Sequence, residues 1–186
     1  MTMRITPTTL PEVLVIEPDV YADERGFLVQ SYSERAFAEA GLPSRFVLDN
    51  HSHSVSGVIR GLHFQLRTPQ GKLVTAITGE IFDVAVDIRV GSPTFGHWAG
   101  TTLRASAPRY LWIPSGFAHG FAVQSDYADV MYKCTAPYDP DDQWGVRWDD
   151  PTIGIPWPIA SPLLSVADRK RPLLRDLLDT LPRFAA

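Results

Sequence analysis

Apolar and polar side chains alternate with a period of two along most of this chain, and that pattern limits what it can fold into. In Glu80–Arg89, Phe82, Val84, Val86 and Ile88 fall on one side of an extended backbone, and Ile81, Asp83, Ala85 and Asp87 on the other. Similar runs occupy Val13–Ile16, Phe27–Tyr32, Val58–Phe64, Lys72–Thr78, Trp98–Leu103, Tyr110–Ile113, Gly120–Gln124 and Val130–Thr135. Turn signals at Thr78-Gly79, Gly91-Ser-Pro93, Ser106-Ala-Pro108 and Pro114-Ser-Gly116 separate them. Many short strands at this spacing imply an all-β antiparallel sandwich or barrel. Helical spacing is confined to two places. Ser33–Ala40 has an N-cap serine and Gly41 as a stop, and Leu173, Leu174, Leu177, Leu178 and Leu181 follow Pro172 as one short amphipathic helix.

No linker, repeat or low-complexity tract divides the 186 residues, so the sequence reads as a single domain over 1–186, with a core at about 12–172 and a helical tail at about 173–182. The Pro-rich stretch Asp149–Pro162 is too apolar for a free linker and is expected to pack across a sheet surface. A hydrophobic content of 45% suffices for one core without covalent staples. The net charge of -4, with basic residues scattered, argues against a nucleic-acid partner. No apolar run approaches the roughly 20 residues that cross a bilayer, and the N-terminus lacks a signal-peptide core. The single cysteine, Cys134, suits a reducing compartment and reads as a small buried hydrophobe, so a cytoplasmic location is expected.

Three segments place ionisable side chains among β-formers and turn glycines. These are Ser56-Gly-Val-Ile-Arg-Gly-Leu-His-Phe-Gln65, Gln70-Gly-Lys-Leu-Val74 and Trp112-Ile-Pro-Ser-Gly-Phe-Ala-His-Gly120. Arg60, His63, Lys72 and His119 brought into one pocket could hold an anion and move a proton. Several candidate residues also have a plain reading. His63 alone could be a satisfied strand histidine, Lys72 an edge-strand lysine, Arg25 part of a hairpin turn, and Tyr132, alternating with Val130 and Cys134, inward packing. The Pro-x-Gly-x-x-His spacing ending at His119 matches the second cupin motif. His51-Ser-His53 raises a metal reading with His119, but no glutamate follows at short spacing.

Longer strings carry a more specific resemblance. Asp23-Glu-Arg-Gly-Phe27, Asp49-Asn-His-Ser52, Gly57-Val-Ile-Arg-Gly-Leu-His-Phe-Gln65, Gln70-Gly-Lys-Leu73, Phe82-Asp-Val-Ala-Val-Asp-Ile-Arg89, Gly91-Ser-Pro-Thr-Phe-Gly96, Leu111–Phe121, Tyr132-Lys133 and Arg147-Trp-Asp-Asp-Pro151 resemble, in order, the dTDP-4-dehydrorhamnose 3,5-epimerase family. The resemblance implies a cupin-type jelly roll, usually a homodimer, working without cofactor or metal. It implies a dTDP-4-keto-6-deoxysugar substrate whose ketone acidifies the hydrogens at C3 and C5. It assigns His63 as base, Asp168 as its orienting partner, Lys72 as stabiliser of the enolate and Tyr132 as the acid on the opposite face. Arg25, Arg60 and His119 match positions binding the diphosphate and sugar, and Tyr138 matches an aromatic that stacks on thymine. Gln30, Leu48, Asp49, Asn50 and Gln143 fall at further substrate-binding positions.

Some positions depart from the family pattern. Gln30 stands where glutamate is common, Leu48 where glutamine is expected, and Gln143 in place of an acid. Ala167 replaces a basic residue for which Arg169 could compensate. These changes bear on the nucleotide grip and on double versus single epimerisation, so a 3- or 5-epimerase of another deoxysugar is the alternative. A metal-dependent cupin and a non-catalytic sugar-nucleotide binder are the readings from other classes. On a regular strand Arg60 and His63 would face opposite ways; if both line one pocket, Gly61 is expected to mark a bulge that reverses parity.

Overall fold

The structure, a computed structural model, describes residues 2–184. In chain order its elements are β1 (Met3–Pro7), β2 (Leu14–Pro18), β3 (Val20–Asp23), β4 (Gly26–Val29), α1 (Glu34–Glu39), β5 (Leu48–Val55), β6 (Ile59–Phe64) and β7 (Lys72–Thr78). There follow β8 (Glu80–Asp87), β9 (Trp98–Arg104), β10 (Tyr110–Ile113), β11 (Phe117–Val123), β12 (Tyr127–Cys134), β13 (Trp144–Gly145) and α2 (Val166–Arg169). Two antiparallel sheets face each other. One runs β1-β2-β10-β7-β12-β5 and the other β13-β6-β11-β8-β9, while β3 and β4 form a separate hairpin. This is the expected jelly-roll sandwich with short peripheral helices.

Alternation decides which side chains enter the space between the sheets. Val74, Ala76, Ile81, Ala85, Leu111, Ile113, Phe117, Phe121 and Val130 form the inter-sheet core, with Tyr132 packed against it. The opposite parity of β8 turns Val84 and Val86 outward, where they meet Ile153, Leu174, Leu177 and Leu181 in a second cluster. Asp149–Pro162 crosses that outer surface as expected. Ile155 and Trp157 pack on it, and Trp157 Nε1 donates to the Trp148 carbonyl at 2.8 Å. On the outer face of the other sheet, Leu73, Tyr110 and Trp112 are covered by Phe37 of α1, with Tyr32 and Phe46 at its margin.

Ser33 caps α1 through Ala36 N, and Gly41 at φ +71 follows its end, as the sequence implies. The helical tail is shorter than expected. Only Leu174–Leu177 form a 3-10 turn, and Leu178 is exposed, because Leu174, Leu177 and Leu181 alone supply the buried contacts. Strands β1, β3, β5 and β13 escaped the sequence reading. In β5 the polar string Asp-Asn-His-Ser-His-Ser hides a strand whose inward side chains face a cavity rather than a core.

Candidate active site

A cavity of about 320 Å3 opens between the two sheets. From the sheet ending in β5 it receives Asn50, Ser52, Lys72 and Tyr132, and from the other Arg60, His63, Phe64, His119 and Phe121. Gln65, Gln70, Tyr138 and Gln143 close its rim.

Arg60 and His63 share this cavity because β6 carries an extra residue. His119 opposes His63 and Phe121 opposes Arg60, so Gly61 and Leu62 together face Gly120 alone. The bulge turns Arg60 to the side of His63 and leaves Ile59, opposite Ala122, on the other side. Ile59 therefore does not share the histidine's face, as uninterrupted alternation would have required. The backbones touch here: a Cβ on Gly61 would lie 2.5 Å from Gly120 Cα, and Gly61 has φ +125. Arg60 is held from behind by Ser54 Oγ at 2.9 Å and the His53 carbonyl at 3.1 Å.

His63 Nε2 lies 2.6 Å from Asp168 Oδ1. Ser165 caps α2 by accepting from Asp168 N at 3.0 Å, which is what the Ser-x-x-Asp spacing does physically. Burial pushes the Asp168 carboxyl up, but the hydrogen bond and charge of His63, with Ser165 and Arg171, outweigh it and hold the group below its usual range. Beside an ionised Asp168 the tautomer with its proton on Nε2 is the one that donates to the carboxylate, and its free nitrogen is Nδ1. The cation that supports Asp168 is Arg171, not Arg169. Arg169 is exposed and reaches only the Leu164 carbonyl, whereas Arg171, beyond the end of α2, also donates to the Gln143 carbonyl at 3.2 Å.

A second histidine–carboxylate pair lies deeper. His119 Nε2 is 2.7 Å from Asp83 Oδ1; both residues are buried, and Asp83 Oδ2 has no partner among the described residues. Burial lowers the His119 pKa against the opposing pull of Asp83. Burial likewise lowers the Lys72 ammonium, opposed by Cys134 and Asp83. Tyr132 is raised by burial and keeps its proton at neutral pH. Its ring stands edge-on to His119 at 6.3 Å between centroids, spanning the gap between sheets. Cys134 is buried and unpaired, as read from its strand position.

Asn50, Arg60, His63, Lys72, His119, Tyr132, Tyr138 and Gln143 thus converge, with Asp168 behind His63. Arg25, Gln30, Leu48 and Asp49 do not line the cavity of their own chain. Arg25 pairs with Asp23 on the β3–β4 hairpin, Gln30 is exposed just beyond it, and Asp49 pairs with Lys133 at 2.9 Å. Leu48 lies on β5 opposite Cys134, on the same parity as Asn50. Ser52, Gln65, Gln70 and Asp83 were not singled out from the sequence; for Asp83 the signal was a carboxylate on the inward parity of β8. His51 and His53 do not meet His119. They sit on the outer parity of β5, both bonded to Asp129 Oδ1 at 3.0 Å, and no described group of three His, Cys, Asp or Glu is arranged to hold a metal.

His63 and Tyr132 come from opposite sheets, so a molecule between them would meet an imidazole on one side and a phenol on the other. That geometry defines an epimerase built on a jelly roll. The model of the dTDP-4-dehydrorhamnose 3,5-epimerase family matches residues 7–176. A protein of Pseudomonas aeruginosa named dTDP-4-dehydrorhamnose 3,5-epimerase is 53% identical over 170 residues, covering 90% of this chain and 94% of its own. One of Streptomyces niveus named dTDP-4-dehydrorhamnose 3-epimerase is 43% identical, covering 98% and 90%. The crystal structure of a dTDP-6-deoxy-D-glucose-3,5-epimerase from Legionella pneumophila in complex with dTDP-4-keto-L-rhamnose superposes with a TM-score of 0.96 at 47% identity, each chain fully covered. The chain belongs to the dTDP-4-dehydrorhamnose 3,5-epimerase family.

Proposed function

We infer that this chain epimerises dTDP-4-dehydro-6-deoxy-D-glucose at C3 and C5, giving dTDP-4-dehydro-L-rhamnose. The observation that carries the mechanism is the placement of His63 and Tyr132 on facing sheets around one cavity. His63 Nδ1 takes the proton from the carbon next to the 4-ketone, and the C–H electron pair moves into an enolate. Lys72 supplies positive charge to the developing oxyanion where water is scarce, which makes such charge effective. Tyr132 gives its phenolic proton to the opposite face of the same carbon; its phenolate then regains a proton from solvent and the His63 imidazolium releases one to it, which resets both groups. Asp168 keeps His63 in the right tautomer and stabilises the imidazolium. The sequence is run once at each carbon.

Arg60 and His119, which line the cavity, would hold the sugar and diphosphate, and Tyr138 at its rim would stack on the nucleobase. Incubation with the 4-ketosugar nucleotide in deuterium oxide tests the reaction. Deuterium and inverted configuration at both carbons support it, and retention at either carbon moves the assignment to a single-site epimerase.

A homodimer accounts for the residues outside the cavity. The β3–β4 hairpin exposes Tyr21, Phe27 and Leu28, and β5 ends its sheet without a further strand. Packing of the hairpin against a second copy would cover the apolar side chains and bring Arg25 to the partner's rim. A fully active monomer in analytical ultracentrifugation would rule this out. The buried, unpaired Cys134 supports the cytoplasm as the place of action.

A further inference from the structure

Gln65 and Gln70 line the cavity yet have no part in the proton chemistry. Gln65 is 7% exposed. Its Nε2 donates to the carbonyl and hydroxyl of Thr68, both at 2.8 Å, and to the Pro137 carbonyl at 3.1 Å, while its Oε1 accepts from Asp139 N at 3.1 Å. Gln70 Nε2 donates to the carbonyls of Ala136 and Pro137, both at 3.0 Å. The backbone on both sides of Tyr138 is therefore bonded to two side chains from the β6–β7 connection. The same connection is tied from the other direction by buried Asp142, which accepts from Arg67 N at 2.7 Å and Thr68 N at 3.0 Å.

Such a clamp has a physical reason. Pro137 and Pro140 flank Tyr138 and bring no N–H, so this segment cannot be secured by a strand ladder. Its carbonyls must find donors elsewhere. Tyr138 is 52% exposed, and among the described residues its side chain makes one hydrogen bond, a long one of 3.3 Å to Gln143 Oε1. What fixes that ring is the backbone beneath it.

We propose that Gln65 and Gln70 are positioning residues that set the affinity for the nucleotide end of the substrate by holding the Tyr138 segment in its stacking conformation before the ligand arrives. This rests on the reading of Tyr138 as the nucleobase platform. A ring ordered in advance spares the ligand the entropy of ordering it.

Calorimetric titration of the full chain with dTDP tests the proposal in a double-mutant cycle. Gln65→Met and Gln70→Met are each expected to raise Kd by about 3- to 10-fold, the scale of a lost hydrogen bond or two. In a Tyr138→Ala background neither is expected to add to the loss. In turnover, KM is expected to rise by more than kcat falls, and amide exchange over residues 136–139 to accelerate. Kd unchanged in both glutamine variants, or raised equally with and without the Tyr138 ring, overturns the clamp while leaving the stacking role intact. No loss of dTDP affinity in Tyr138→Ala alone overturns the stacking role, and the clamp with it. Should Gln65→Met fail to fold, the more peripheral Gln70→Met carries the same comparison.

Discussion

Two regions of this molecule are built from the same pair of residue types and differ in what surrounds them. Inside the cavity, His63 meets Asp168 at 2.6 Å and His119 meets Asp83 at 2.7 Å, with the carboxylate side chains 5% and 0% exposed. On the outer face of β5 and β12, His51 and His53 both meet Asp129 at 3.0 Å, with the histidines more than half exposed. The outer cluster perturbs a carboxyl strongly. A hydrogen bond from Thr78, then those of His53 and His51, take Asp129 down to about 2. A shifted pKa therefore does not by itself mark an active site. The inner pairs differ by facing a partly enclosed space that also holds Lys72, Arg60 and Tyr132, where charges act with less screening.

The contrast can be broken most directly at His63. His63→Asn is expected to lower solvent-proton exchange at the reacting carbons by about 10^4-fold, the upper range for a general base. Residual exchange within tenfold of wild type would mean another group takes the proton. Lys72→Ala should reduce exchange by about 10^2- to 10^3-fold, measured by deuterium incorporation, as expected for losing one oxyanion-stabilising group. Tyr132→Phe should separate two readouts: inversion falls steeply while exchange, which needs only the enolate, falls less. Equal losses would show that Tyr132 does not act alone on the far face. All three replacements should fold, because none removes a large apolar volume.

Asp83→Asn sharpens the comparison within the cavity. Asp83 holds the Lys72 pKa up against burial, so its loss should lower that pKa further and move the alkaline fall of the rate profile to lower pH. A profile that only drops in height would assign Asp83 a packing role. The smallest effects are expected outside. His51→Ala or His53→Ala should shift the melting midpoint by no more than about 3 °C and leave exchange within about twofold, as for exposed ion pairs. The depressed Asp129 pKa favours the folded state above its ordinary value of 3.8, and that contribution disappears as the pH falls through about 2.

Much of the inner region was readable because strand parity is a local property. The alternation in β12 placed Tyr132 beside Val130, facing inward, while that in β8 grouped Asp83 with Ala85 without showing which side of the strand is the inner one. The conflict between Arg60 and His63 even located the bulge, since only an irregularity at Gly61 could put both in one pocket. What could not be read depends on non-local contacts. Strand β5 has a polar inner face because it borders a cavity, so its composition hides its period. The choice of Arg171 over Arg169 depends on how the chain turns after α2. The role of Gln65 and Gln70 depends on a segment some 70 positions away. The C-terminal leucines kept their helical spacing, but docking onto β8 allowed only one 3-10 turn.

His63 and Asp168 are separated by 105 positions, and the carboxylate arrives on one of the last elements of the chain. During synthesis both sheets can be complete while the histidine still lacks its partner. The cavity then exists before the reaction does. A chain truncated before α2 would keep the strands that carry the cavity's side chains but lose the carboxylate bonded to His63. Proton transfer is therefore expected to depend on an element that follows every strand in sequence.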